Sequence, residues 1–227
     1  MILYLKRLSI KNKSKLLGYF PLFFIVCYSV FIIVTAFEKE HRLEHNKDFI
    51  ILTKGISQLV HELQKERGLT AGFLGNKSNE FLTNLKNQRE ITNKQLSEYK
   101  TKLAFIKDTE YPENGKFYID SISKELANLE ITRNAVDTFS IDAKKAIAFY
   151  TGLNSNLLSF IGLTSTIADS EEIIKSSVAY YNFLMMKERV GIERAIGANT
   201  FAMKTFTPEM FQKFVSLVSE QNIFMEN

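Results

Sequence analysis

Two segments of this sequence carry the same charged tripeptide ahead of a run of small residues. Lys65-Glu66-Arg67 is followed by Leu74-Gly75, and Lys187-Glu188-Arg189 by Ile196-Gly197 at the same spacing, 122 residues further on. Five matches over eleven positions make a thin repeat but a useful pointer to two helices with similar tasks. In the first, Ile56, Val60, Leu63, Arg67, Thr70 and Leu74 recur at steps of four and three; in the second, Val178, Asn182, Met185, Arg189, Ile192 and Ile196 do the same. That spacing marks the buried seam of a helical bundle. An arginine on such a stripe is costly unless it meets an anion. Gly68, Ala71, Gly72 and Gly75 around one arginine, and Gly191, Ala195 and Gly197 around the other, leave room for something small. Each glycine inside a helix costs about 0.5–1 kcal/mol relative to alanine, so such clusters call for a reason. The competing reading is structural. Arg67 snorkels to solvent or pairs with Glu62, Glu188 or Glu193, Arg189 already has Glu193 one turn away, and the glycines only permit close packing.

Other chemistry is sparse. His61-Glu62 lacks the second histidine of a zinc motif, and His41 and His45 lie beside an apolar run. There is no glycine-rich phosphate loop and no nucleophile with a matching base, so no catalytic residue, metal or cofactor is expected and the chain reads as a non-enzyme. Tyr150, Tyr180, Tyr181 and the Met185-Met186 pair read as bundle packing, although a tyrosine hydroxyl can also donate to an anion.

The elements that must hold these residues are helices. Leu16 to Phe37 is 22 residues without a charge, about 33 Å as a helix and enough to cross a hydrocarbon core of about 30 Å. No small-residue cleavage site follows it, so it reads as a retained anchor. Lys6, Arg7, Lys11, Lys13 and Lys15 precede it and a mixed set follows, which puts residues 1–15 in the cytoplasm and 38–227 outside. The outer segment keeps 24 basic residues against 25 acidic ones, so the basicity of the chain belongs to its first residues and no nucleic-acid partner is expected. The only cysteine, Cys27, lies in the span, so the outer domain is held by packing. Six helical stretches are predicted: one running on from the anchor to Gly75; Ser78 to Lys107; 116–136; from near Ser140, with Ile141-Asp142 opening it, to Thr166; Ser170 to Lys204; and one opened by Thr207-Pro208. A turn, DTEYPENG at 108–115, separates the second and third. Long helices with short connections make an all-α fold of antiparallel bundles, its first helix continuous with the membrane span.

At this point the segments LVHELQKERGLTAGFLG (59–75), AIAFYTGLNSNLLSFI (146–161) and FLMMKERVGIERAIGANTFA (183–202) resemble the helices of the nitrate- and nitrite-sensing, or NIT, domain. The resemblance covers most of 50–227. It implies an all-helical sensor of nitrate or nitrite, found in soluble antiterminators and in bacterial membrane receptors, where it sits outside the cytoplasmic membrane ahead of a chemotaxis, kinase or cyclase module. It implies that Arg67 and Arg189 contribute to the anion site, with Arg194 a further candidate. Arg194 lies about 140° around the helix from Arg189, so a surface role is weighed equally. Receptors of this layout are usually homodimers, and the signalling module or partner is not in this sequence, which reads as incomplete at its C-terminus. The chemistry agrees with the resemblance. Nitrate is small, planar and delocalised, and a guanidinium offers it paired donors where a lysine is only a point charge. Two arginines facing one pocket repel by roughly 2 kcal/mol at about 7 Å and an effective dielectric of about 20. One anion between them removes that repulsion and ties two helices together.

Overall fold

The computed structural model describes residues 10–106, 115–165, 171–203 and 205–226, and over these it is built from seven helices: α1 (Ile10–Asn76), α2 (Asn79–Ala104), α3 (Gly115–Ala127), α4 (Leu129–Asp137), α5 (Ala143–Thr164), α6 (Glu171–Met203) and α7 (Pro208–Glu226). Of the predicted turn at 108–115, residues 108–114 lie outside the described residues, as do Lys107, Thr166, Ser170 and Lys204, and Gly115 opens α3.

Local chemistry accounts for three of the helix starts. Ser78 accepts a hydrogen bond from the Phe81 amide and starts α2. Asp142 Oδ1 accepts from the Lys145 amide at 2.7 Å and starts α5. Thr207 Oγ1 accepts from the Met210 amide at 3.3 Å, with Pro208 as the first residue of α7. Each satisfies a donor that the first turn leaves orphaned. The predicted helix over 116–136 is divided. At Asn128 the amide bonds to the Glu125 carbonyl, three residues back, at 3.0 Å. This tightened turn places Leu126 and Leu129, three residues apart, both in the core.

The chain forms two compact units that meet between residues 45 and 46. In the first, the stretch Gly18–Phe37 of α1 has mean hydropathy 2.4 and no buried residue, so it is long and apolar enough to cross a membrane. Its phenylalanines pack on one another, with the Phe20 and Phe24 rings 4.8 Å apart.

In the second unit, α1 from residue 46 onward is a central element. Gln88 of α2 donates to Glu62, and Arg133 of α4 to Glu66. Thr53 bonds with Thr164 and Arg67 with Thr151, so α5 runs antiparallel to α1. Tyr180 bonds to Ser57 and Gln64 to Glu188, so α6 runs parallel to it. The core lies between these helices: Leu52, Ile56, Leu59 and Leu63 of α1 meet Tyr99 of α2, Ile122 of α3, and Tyr150, Leu153, Leu157 and Phe160 of α5. Each such side chain contributes about 1.5–3 kcal/mol through burial. Helix α5 is also apolar enough to suggest a span, with mean hydropathy 1.2, but 44% of it is buried in this core. Helix α7 packs along α6, joined by Arg189 to Glu220 and by Gln221 to Glu193.

Candidate functional site

The predicted seam on α1 is buried up to Thr70, while its last member, Leu74, is half-buried beside the buried Phe73. Ile56, Val60, Leu63, Arg67 and Thr70 are all buried, Arg67 at 3% exposure. Its guanidinium lies where α1, α5 and α6 meet. Nη1 donates to Glu188 Oε1 at 2.5 Å and to Thr151 Oγ1 at 2.9 Å, and Nη2 donates to Glu188 Oε2 at 3.3 Å. Gln64 Nε2 donates to the same Oε2 at 2.7 Å. The carboxylate is 1% exposed. A guanidinium gripping a carboxylate along one edge is the strong, geometrically selective form of an ion pair.

Of the seam predicted on α6, Asn182 is buried, while Val178, Met185, Arg189, Ile192 and Ile196 are half-buried. Leu184 and Glu188, also buried, each lie one position before a seam residue, about 100° away. The reason is that α6 has neighbours on two sides: α1 and α5 face Glu188, and α7 faces Arg189. The Arg189 guanidinium donates from Nε to Glu220 and lies 5.7 Å from the Phe224 ring. Arg67 and Arg189 therefore bond to different carboxylates and have no partner in common. Arg194 is exposed.

The small residues around the arginines are used in specific ways. An ideal Cβ on Gly191 would lie 3.1 Å from Arg67 Nη2, so this glycine admits the guanidinium itself. One on Gly72 would lie 2.3 Å from the Phe81 ring, so that glycine admits an aromatic ring of α2. Gly68, Gly75 and Gly197 have nothing within 4 Å of that position.

A second buried charge cluster was not anticipated. Glu66, at 0% exposure, accepts from Arg133 Nε and Nη2 at 2.7 and 2.8 Å and from the Tyr150 hydroxyl at 2.8 Å. Arg133 also donates to Asn93 and Glu130. Burial opposes the charge on Arg133, but the hydrogen bonds and charges of Glu66 and Glu130 outweigh it and raise its pKa further. Burial first, and then the Glu66 carboxylate, push the Tyr150 hydroxyl above its usual range, so it stays a donor. Tyr180 donates to Ser57 at 2.6 Å, and His61 shares a 3.0 Å contact with Lys187. Burial and the Lys187 charge lower the His61 pKa. The two Lys-Glu-Arg segments are thus equivalent through their glutamates. Glu66 and Glu188 each accept a guanidinium in two-point fashion from another helix.

The described residues thus form an all-helical bundle with a buried arginine–carboxylate pair where three helices meet. The family model described as nitrate and nitrite sensing matches residues 58–227, and the chain belongs to that family. It is 26% identical over 194 residues to the nitrate regulatory protein of Klebsiella oxytoca, an alignment covering 83% of this chain and 49% of that protein. The solved structure of the NasR transcription antiterminator superposes with a TM-score of 0.79 at 25% identity, covering 86% of this chain and 54% of that one. The chain thus spans about half the length of these relatives, which are regulatory proteins.

One expectation is overturned. The sequence reading excluded a nucleic-acid partner from the near-neutral charge of residues 38–227. A relative with this fold acts in transcription, so the exclusion does not stand. Charge balance over the sensing bundle describes that surface alone and is silent on what the remaining half of such a protein contacts.

Proposed function

We propose that this chain is a membrane-anchored sensor whose α1 and α6 arginines take up nitrate or nitrite outside the cytoplasmic membrane and transmit a helix shift through α1. The observation that carries this reading is Arg67: a guanidinium at 3% exposure on the helix that also holds the apolar stretch Gly18–Phe37. Family membership supplies the ligand class, and Arg67 is the one predicted arginine placed at a junction of three helices. Arg189 is the second contributor, from the neighbouring position to Glu188 on α6. Arg194, exposed and off both faces, contributes least. The domain reading is a basic segment at 1–15, a span at 16–37 and the sensor from 38.

The test is calorimetry on the full chain in lipid nanodiscs. Arg67→Lys keeps a charge opposite Glu188 but loses the planar two-donor edge, and should weaken nitrate binding at least about tenfold while leaving the helical circular-dichroism spectrum intact. Arg189→Lys should weaken it less, and Arg194→Ala hardly at all. No heat from nitrate or nitrite with the folded wild-type chain sinks the proposal. A second reading has its own support: both arginines already have carboxylates, Glu188 and Glu220, as an interaction module without a ligand requires. That reading predicts the absence of any binding heat.

A further inference from the structure

We propose that Glu188 is a built-in competitor for the sensed anion, occupying the edge of Arg67 that the ligand must take. This rests on the reading that Arg67 receives nitrate or nitrite.

The Glu188 carboxylate is planar, singly charged and presents two oxygens to Nη1 and Nη2 at 2.5 and 3.3 Å. Nitrite presents the same two-oxygen edge, and nitrate presents it with one oxygen to spare. The pair is almost wholly excluded from solvent, Arg67 at 3% and Glu188 at 1%. A second anion added to this guanidinium without removal of the first would leave a net negative charge in a low-dielectric interior, which is strongly disfavoured. Exchange of one anion for the other keeps the charge balanced. Ligand and carboxylate are therefore alternatives.

The surroundings favour the carboxylate by modest means. Gln64 holds Oε2 at 2.7 Å, Thr151 takes the second bond of Nη1, and Gly191 leaves space beside Nη2. Glu188 belongs to α6, whereas Arg67 and Gln64 belong to α1. Displacing the carboxylate removes three hydrogen bonds between these helices at once, leaving the Tyr180–Ser57 and Lys187–His61 contacts. The carboxylate-paired and anion-bound arrangements then differ in ligand affinity, which is what a two-state sensor requires. The ligand class follows from the shape of the edge: planar oxyanions compete, and spherical chloride does not.

The experiment is calorimetric titration of the full chain in nanodiscs at constant ionic strength with nitrate, nitrite and chloride. Wild type is compared with Glu188→Gln and Gln64→Leu. Removing the competing charge should tighten nitrate binding by about tenfold or more in Glu188→Gln, and loosening its hold should give about two- to fivefold in Gln64→Leu. Wild type that binds nitrate while neither variant binds more tightly overturns the competitor and leaves nitrate sensing standing. If wild type and both variants are silent with circular dichroism unchanged, both ideas fall. Should Glu188→Gln fail to fold, Gln64→Leu decides: it touches Glu188 without altering either charge, and no gain in affinity overturns the proposal.

Discussion

Buried charge dominates this protein at the scale of single residues. Glu66, Arg67, Arg133 and Glu188 are each at most 3% exposed and each is paired. Removing one member of such a pair strands the other. Arg133→Met should therefore destabilise the folded chain by about 3–5 kcal/mol, measured by chemical denaturation in detergent, and adding Glu66→Gln should restore part of it. A cost under about 1 kcal/mol would mean that Glu66 recruits another cation, Arg89 being 3.9 Å away. Asn154 is the converse case: at 0% exposure, neither of its amide atoms has a hydrogen-bond partner. An unpaired buried amide costs about 1–3 kcal/mol, so Asn154→Leu should leave the melting temperature unchanged or higher. A clear drop would reveal a buried partner such as water. The burial of Arg67 was legible because a charge interrupts an apolar stripe. Arg133 satisfies the same test, lying between Leu129 and Val136, and could have been found by applying it to every helix. The Glu188 partner was one of three carboxylates that spacing allowed; only packing selects among them.

At the scale of elements, sequence was most informative where structure is local. The caps at Ser78 and Thr207 depend on a few neighbouring residues and were readable directly, whereas α5 opens after Asp142 and not near Ser140. The division of α3 from α4 was not, since Asn128 makes no side-chain cap and the break serves burial of Leu126 and Leu129. The deeper burial of Leu184 and Glu188 on α6 was also hidden, because a helix between two neighbours has two apolar faces and its period alone does not say which is deeper. The α6–α7 pairing has a pH signature. Burial works against the charged form of Glu220, but hydrogen bonds from Arg189 and Ser216 prevail and lower its pKa. A carboxylate with a depressed folded pKa contributes stability above its unfolded value of about 4.3, and that contribution fades as the pH falls through the folded value. Hydrogen-exchange protection of residues 208–226, corrected for intrinsic rates, should drop below about pH 4. Glu62 is lowered too, against burial, by Lys65 and Gln88, but it joins α1 to α2, so resolution by segment separates the two. Glu209, its pKa lowered by its own amide and by Thr207, acts at the first turn of α7, so Arg189→Met should remove the acid sensitivity around Glu220 alone. Unchanged sensitivity at residues 216–224 in that variant would show that Glu220 does not fasten the hairpin.

For the molecule as a whole, the deciding feature is the stretch Gly18–Phe37, which has no buried residue and whose side chains Phe23, Phe31 and Phe37 are each more than 60% exposed. Water would have to solvate fourteen large, exposed hydrophobic side chains here, at about 25 cal/mol for every Å² of apolar surface left uncovered. A hydrocarbon layer removes that cost, so the chain should sediment with membranes and resist extraction by high salt or carbonate. In the proposed topology the lysines before the stretch hold the N-terminus on the cytoplasmic side. Single-cysteine variants in a Cys27→Ser background test both statements. Lys94 and Lys11 are exposed positions, the former in the bundle and the latter ahead of the span. In spheroplasts, a membrane-impermeant maleimide should label Lys94→Cys directly and Lys11→Cys only after permeabilisation. The reverse pattern would place the bundle in the cytoplasm and remove the extracytoplasmic sensor from consideration. Recovery of the chain in the soluble fraction would remove the anchor itself and leave the fold shared with the antiterminator.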